Sequence, residues 1–346
     1  MHTRREFLQL FSLTAAALGT GCGPTSSPES GWSDATLDFL KTRASRHGAI
    51  GWAAWHGHRE FASWNSGARA PALSITKALA ALAAASAAGE GWLSPHEKVA
   101  DTLHEWRSDP LKSRITVLML LQQTSGLEGG ARQLYREHPA DKGRAAVGLR
   151  LVNTPGTTFR YGPSHWETLG EVLKRKLAAR GQTPVKFLHR AVLRPIGLSS
   201  PKWRSDRLDT PYLSTGAEFT VKQLGRLGRT LISLLNGQSS DGIPHEHFAA
   251  MTRPSSINPI FGGGLWRNVN ARKSHAAAIE IEFSIDDPLP SSIWHRACLS
   301  TRQPGDFVAL IGSGGRRIYL WPSQNRLIAR LGNSRSWSDV AFLGGV

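Results

Sequence analysis

Strand-like segments stand near both ends of this chain, and a long helical stretch separates them. Close to the start, "AIGWAAWHG" (49–57) and "REFASWNSG" (59–67) read as a hairpin closed by His56-Gly57-His58. Beyond "FGGGLWRN" (261–268) the strand signals return in "AIEIEFSI", "DFVALIGSGG", "RRIYLWPS" and "NRLIARLGN". Between them, "RITVLMLLQQTSG", "HWETLGEVLKRKLAAR", "PVKFLHRAVLRPIG" and "FTVKQLGRLGRTLISLLNG" space their apolar residues by three and four, with Gly or Pro at their ends. A lone hairpin is marginal in water, so strands from the two ends must share one sheet. The pattern predicts an α/β (α+β) fold, with an antiparallel sheet from both termini, flanking helices and an inserted helical lobe. The expected limits are a sheet lobe at 45–80 and 260–346 and a helical lobe at 81–259, within a single domain spanning 32–346. No internal repeat is visible.

With 40% hydrophobic residues, the 346-residue chain has ample apolar surface for a packed core. Its formal net charge of +16 raises the question of nucleic acid. The basic residues, however, are mostly single arginines without a long run, and aromatics do not alternate with a basic stripe. A solvated arginine-rich surface is the better reading, and no nucleic-acid partner is expected.

The first residues read as a targeting segment. Thr3-Arg4-Arg5-Glu6-Phe7-Leu8 has the form of a twin-arginine signal, followed by an apolar stretch too short to span a bilayer. Cys22 follows Gly19-Thr20-Gly21, as the lipid-modified cysteine of a bacterial lipoprotein would. Residues 1–22 are therefore expected to be signal and lipobox, and 23–31 a flexible linker. The expected location is outside the cytoplasm, periplasmic or tethered to a membrane through Cys22. Cys298 then has no partner for an internal disulfide.

The chemistry centres on "PALSITKALA" (71–80). In a helix, Ser74 and Lys77 share a face one turn apart. A serine hydroxyl needs a base to act as a nucleophile, and a lysine desolvated by the apolar run that follows can supply one. An N-cap serine followed by an exposed lysine has the same spacing, and these four residues alone do not separate the two. Ser199-Ser200-Pro201-Lys202 repeats the string, but Pro201 obstructs a helix and Arg204, Asp206 and Arg207 follow in place of an apolar run. No G-x-S-x-G string offers the rival serine-hydrolase design. Lysine-assisted serine chemistry also needs a group that shuttles a proton to the leaving group. Tyr161, in "NTPGTTFRYGPSHW", follows a Pro-Gly turn and precedes a helix, and His165 is a possible accessory four residues later. The triplet at 56–58 reads as turn histidines, since no H-E-x-x-H string accompanies it. No metal or other cofactor is called for.

Several ordered motifs resemble the serine β-lactamase and penicillin-binding-protein superfamily, in particular its class C β-lactamase-related branch of D,D-peptidases and esterases. "SITKALAALAAASAAGEGWLSPHEKVADTLHEW" is similar to the family's nucleophile helix and the segment after it. "ITVLMLLQQTSGL" resembles its I-T-[VI]-x-x-L-L-x-x-T-S-G-L signature, and "PGTTFRYG" its P-G-x-x-F-x-Y segment. "FLHRAVLRPIGL", "STGAEFTVKQLGRLGRTLISLLNG" and "FGGGLW" match later parts, so that the resemblance runs from about residue 36 to 335. It implies that Ser74 is acylated, that Lys77 activates it and that Tyr161 serves the leaving group. Whether Lys77 or Tyr161 takes the first proton stays open. The oxyanion would lie between the Ser74 N–H and an N–H of a late strand.

Two departures bear on substrate. The family's Y-x-N asparagine is replaced in Tyr161-Gly162-Pro163. The family's K-T-G or H-G-G strand falls in "IGSGGRRIYLWP", where Ser313 takes the lysine position, Gly314 and Gly315 follow, and Arg316 supplies the N–H. A one-residue shift uses Gly312 and Gly315 instead and turns every side chain over. Neither register supplies the carboxylate-binding lysine, and Arg316 and Arg317 are the nearby cations left to replace it. The resulting expectation is an exported, monomeric serine hydrolase, foremost a carboxylesterase, acting on a small-molecule or peptidoglycan-type substrate. A D-alanyl-D-alanine carboxypeptidase or β-lactamase is the alternative, and an inactive peptide-binding protein on the same fold is the alternative of another class.

Overall fold

Strand β1 (Ala49–His56) and strand β2 (Arg59–Trp64) form the hairpin that the sequence predicts, turning at Gly57, whose φ is +56°. Glycine suits this left-handed backbone, which a side chain strains. The computed structural model describes residues 32–198 and 202–346. The twin-arginine segment, Cys22, the linker at 23–31 and Ser199-Ser200-Pro201 of the second S-x-x-K string lie outside the described residues.

Five later strands complete the sheet: β3 (Phe261–Gly262), β4 (Leu265–Arg267), β5 (Val308–Gly312), β6 (Arg316–Trp321) and β7 (Arg326–Gly332). Their order is β2-β1-β7-β6-β5-β4-β3, antiparallel throughout. The ends of the chain meet as expected, since β1 pairs with β7 from His56 opposite Arg326 to Ala49 opposite Gly332. A separate small sheet joins Arg69–Pro71, Ala217–Thr220 and Lys202–Trp203. Cys298 is buried and has no disulfide partner among the described residues.

The helices that matter for the site are α1 (Asp34–Arg43), α2 (Thr76–Gly89), α3 (Lys142–Val147), α4 (Ser164–Ala178), α5 (Val221–Leu235), α6 (Ile281–Ser284) and α7 (Asp339–Leu343). Ser33 caps α1 by accepting from Thr36 N–H, and α5 opens with a capping box between Thr220 and Gln223. Although α5 belongs to the stretch expected as a helical lobe, it lies on the sheet. Its glycines permit this: a Cβ at Gly225 would stand 2.9 Å from the Trp55 ring, and one at Gly228 would stand 3.2 Å from Leu327.

The alternation in "AIEIEFSI" predicts a strand, and here the structure differs. Only Ala277 and Ala278 pair, with Ala297 and Cys298, before the chain turns into α6. The charged residues account for the difference, because each is committed to a buried partner. Glu280 accepts from the N–H groups of Asp339 and Val340 at 2.9 and 3.1 Å and from the Ser338 hydroxyl, and so caps α7. Glu282 reaches Arg317 on β6 at 2.9 Å.

Arg317 is fully buried, and its guanidinium is satisfied on three sides. It pairs with Asp339 at 2.7 Å and with Glu282, and donates to Gly312 O at 2.6 Å. The Tyr319 hydroxyl donates to the same Asp339. This cluster ties α6, α7 and the end of β5 together. Removing one partner strands a buried charge, so Asp339→Ala should lower unfolding free energy by about 3–5 kcal/mol in urea titrations. A loss below about 1 kcal/mol would show that the cluster does not hold this corner.

Candidate active site

A 3₁₀ turn at Leu73–Ile75 leads into α2, so Ser74 stands just ahead of the α-helix rather than as its first residue. Leu73 has φ +48°, a left-handed conformation that a leucine adopts only when its surroundings impose it. Every residue of α2 from Thr76 to Ala88 is buried. The alanines keep the helix thin enough for the β3–β4 turn to press against it: a Cβ at Gly264 would meet Ala78 N at 2.8 Å. Lys77 is therefore only 1% exposed. Its Nζ lies 2.9 Å from Ser74 Oγ and 3.0 Å from Ser214 O. Burial pulls the amine down to about 7, with the nearby Glu167 carboxylate opposing the shift. The alternative of an exposed lysine is excluded by this placement.

Tyr161 reaches the same point from the other side. Gln123, just ahead of Thr124-Ser125-Gly126, backs its loop: Arg160 N–H donates to Gln123 O at 3.0 Å and Gly162 N–H to Gln123 Oε1 at 2.7 Å. A Cβ at Gly162 would stand 2.2 Å from Gly129 O, so only glycine fits there. The Tyr161 ring centre is 5.0 Å from Lys77 Nζ. Burial pushes its phenol up to about 12, and a hydrogen bond with Ser74 holds the rise back. Pro163 fills the place of the family's asparagine and opens α4 without a side-chain donor.

His165 does not reach this centre. Its Nε2 donates to Arg160 O at 2.9 Å and its Nδ1 accepts from the Ser125 hydroxyl at 2.9 Å. Burial lowers it to about 4, so it stays neutral and braces the Tyr161 loop instead of moving protons.

The late strand requires a correction. Both registers read from the sequence put a strand across Ser313–Arg316, whereas β5 ends at Gly312 and residues 313–315 form the β5–β6 turn. Gly314 and Gly315 have φ +76° and +73°, which a continuing strand does not use. The residue that passes Ser74 is Gly312: a Cβ there would stand 2.6 Å from Ala72 O and 3.5 Å from Ser74 N. Strand residues alternate their N–H between the two edges, and Phe307 O faces β4 by accepting from Asn268 N–H. Counting in twos, Ser313 turns toward the Ser74 edge. Arg316 pairs with Gly312 across the opposite edge, so its N–H is not aimed at Ser74. Its side chain instead braces Pro71 O at 2.6 Å and Ser313 O at 2.7 Å. Arg317 is spent in the buried cluster and cannot replace the missing lysine.

Four side chains near the centre escaped the sequence reading. Glu167 accepts from Ser214 N–H at 3.1 Å, from Leu213 N–H at 3.3 Å and from the Ser214 hydroxyl. Burial raises its carboxyl, and Ser214 and Lys142 work against that rise. Ser214 thus holds Lys77 with its carbonyl and Glu167 with its N–H and hydroxyl. Tyr135 lies against Ser214 and Thr215. Only the place of Glu167, in the first turn of α4 beside the buried Trp166 and Leu169, offered a signal. Ser74, Lys77, Tyr161, Tyr135, Lys142 and Ser313 line one cavity of 740 Å³, large enough for a small organic substrate.

Comparison with known proteins bears on the fold and the family. The fold is similar to a class C beta-lactamase from Rhodobacter sphaeroides at 16% identity and TM-score 0.61, covering 90% of this chain and 97% of that one. It is also similar to a beta-lactamase from Mycobacterium bovis, at 19% identity and TM-score 0.59 over 89% of this chain and 94% of that one. An octameric penicillin-binding protein homologue from Pyrococcus abyssi matches at 16% identity and TM-score 0.59, covering 88% and 73%. A search of curated proteins finds no match. The profile of the beta-lactamase family matches residues 43–295. By that match, over well more than half its length, the chain belongs to the beta-lactamase family.

Proposed function

We propose that this member of the family is a serine hydrolase that cleaves a carboxylic ester through an acyl-enzyme on Ser74. The observation that carries the reading is the 2.9 Å contact of Ser74 with a buried Lys77 whose amine is pulled down to about 7, beside a Tyr161 pushed up to about 12. Two groups driven apart in this way divide the proton work. Neutral Lys77 takes the Ser74 proton as Oγ bonds to the ester carbon. Tyr161 keeps its proton at neutral pH and hands it to the departing alkoxide as the C–O bond breaks, and Lys77-H⁺ restores the phenol. Water then attacks the acyl carbon, its proton passing to the same base, and the acid leaves as Ser74 regains its hydrogen. The N–H groups of Ser74 and Ser313 are the proposed donors to the oxyanion.

The choice of an ester follows from what the strand offers. With Gly312 passing the nucleophile, the K-T-G frame falls on Leu310-Ile311-Gly312, and a buried leucine stands where that motif has its lysine. A penicillin-type carboxylate loses its partner there, and Pro163 offers no amide to a β-lactam side chain. Export through residues 1–22 with a lipid on Cys22 belongs to the same reading, supported by Arg4-Arg5 and Gly19-Thr20-Gly21. Cys22→Ser should move the protein from the membrane fraction to the soluble one, and unchanged fractionation would contradict a lipid anchor.

Hydrolysis of p-nitrophenyl butyrate tests the chemistry. Ser74→Ala should lose on the order of a thousandfold in kcat/KM, and equal rates for the two folded proteins would favour a binding protein. In the wild type, protonation removes the lone pair that Lys77 needs, so kcat/KM should fall as pH drops through about 7 and level off above it. A flat profile from about pH 5 to 9 would remove Lys77 as the base.

A further inference from the structure

We propose that Lys142, with Arg204 beside it, forms an anion subsite in the Ser74 cavity, so that the natural substrate carries a carboxylate remote from its scissile bond. This rests on the ester-hydrolase reading above. Lys142, the first residue of α3, is only 3% exposed, yet it lines the same cavity as Ser74. Its Nζ lies 3.3 Å from the Tyr212 ring centre and 5.5 Å from that of Tyr135. Aromatic faces attract an ammonium but leave its N–H groups without a lone-pair acceptor. No carboxylate comes within 4.0 Å of Lys142 Nζ among the described residues.

The two acids that feel its charge are committed elsewhere. Glu167 is held by Ser214 and Leu213, and Asp206 accepts from the N–H groups of Lys142, Leu208 and Thr210 at 2.9–3.1 Å. Lys142 lines the cavity, so that is the direction from which an acceptor for its ammonium can arrive. Arg204 lines the same cavity, with an exposed guanidinium anchored only at 3.5 Å to Thr215 O. Lys142 packs on Tyr212 and Tyr135, whereas Ser74 contacts Lys77 beside Tyr161, so the subsite and the reacting centre occupy different parts of the cavity wall. The subsite is therefore set back from Ser74, where a carboxylate at the far end of the substrate would lie. It also supplies the positive charge that Leu310 leaves out of the strand.

The test is calorimetric titration of the full-length Ser74→Ala protein, which binds esters without consuming them. The probes are monomethyl glutarate, adipate and suberate, each compared with its uncharged dimethyl ester. At least one monoester should bind about tenfold or more tightly than its diester. Adding Lys142→Gln should abolish that preference while leaving the diester affinity within about twofold, and Lys142→Arg should retain it. If Lys142→Gln does not fold, Arg204→Gln decides, with a weakened preference expected. Equal affinities for every ester pair, no detectable binding of any monoester, or a preference unchanged in the foldable variants overturns the proposal. Failure of the ester-hydrolase reading itself would show separately, as wild-type turnover that does not depend on Ser74.

Discussion

Burial of one amine organises the reacting centre. Lys77 is enclosed by the alanine-rich helix that carries it, by the glycine turn between β3 and β4, and by the carbonyl of Ser214. Water would solvate an ammonium and keep it charged; here desolvation brings its pKa down to about 7. The same enclosure keeps Tyr161 protonated, since burial penalises phenolate as it does ammonium. One desolvated pocket thus sets a lowered amine beside a raised phenol, the base and acid of the proposed mechanism.

The rest of the fold holds that pocket shut and in register. Gly312 brings β5 against the Ser74 turn where any side chain would collide with Ala72 O. Arg316 holds Pro71 from the β6 side, and the Arg317 cluster fixes the end of β5 through Gly312 O. On the other side, His165, Gln123 and Gly162 fix the loop of Tyr161 from below. These contacts join sheet and helices from distant parts of the chain, so small shifts in either would misplace Ser74, Lys77 and Tyr161 relative to one another.

That Ser74, Lys77 and Tyr161 share one site was legible from the ordered motifs of the resemblance; the apolar helix behind the serine and the Pro-Gly turn ahead of the tyrosine did not by themselves separate a buried lysine from an exposed one. The meeting of the two ends in one sheet was legible from periodicity. The register of the late strand was not, because four glycines at 312, 314, 315 and 332 obscure where β5 stops and the turn begins. Only the contact with Ala72 identifies Gly312. The alternation of "AIEIEFSI" misled for a related reason: Glu280 and Glu282 alternate with apolar residues to reach buried partners on α7 and β6, not to face water. Glu167, Ser214 and Lys142 acquire their roles from packing between segments far apart in sequence, which no local pattern records.

The central claim is that Ser74 becomes acylated. The most direct measurement is intact-protein mass after acid quenching of the reaction with a p-nitrophenyl ester, followed by peptide mapping. A mass increase equal to the acyl group less one hydrogen is expected, carried by the peptide containing Ser74 and absent from Ser74→Ala. Turnover with no adduct at any quench time, or an adduct on another residue that forms equally in Ser74→Ala, would contradict it.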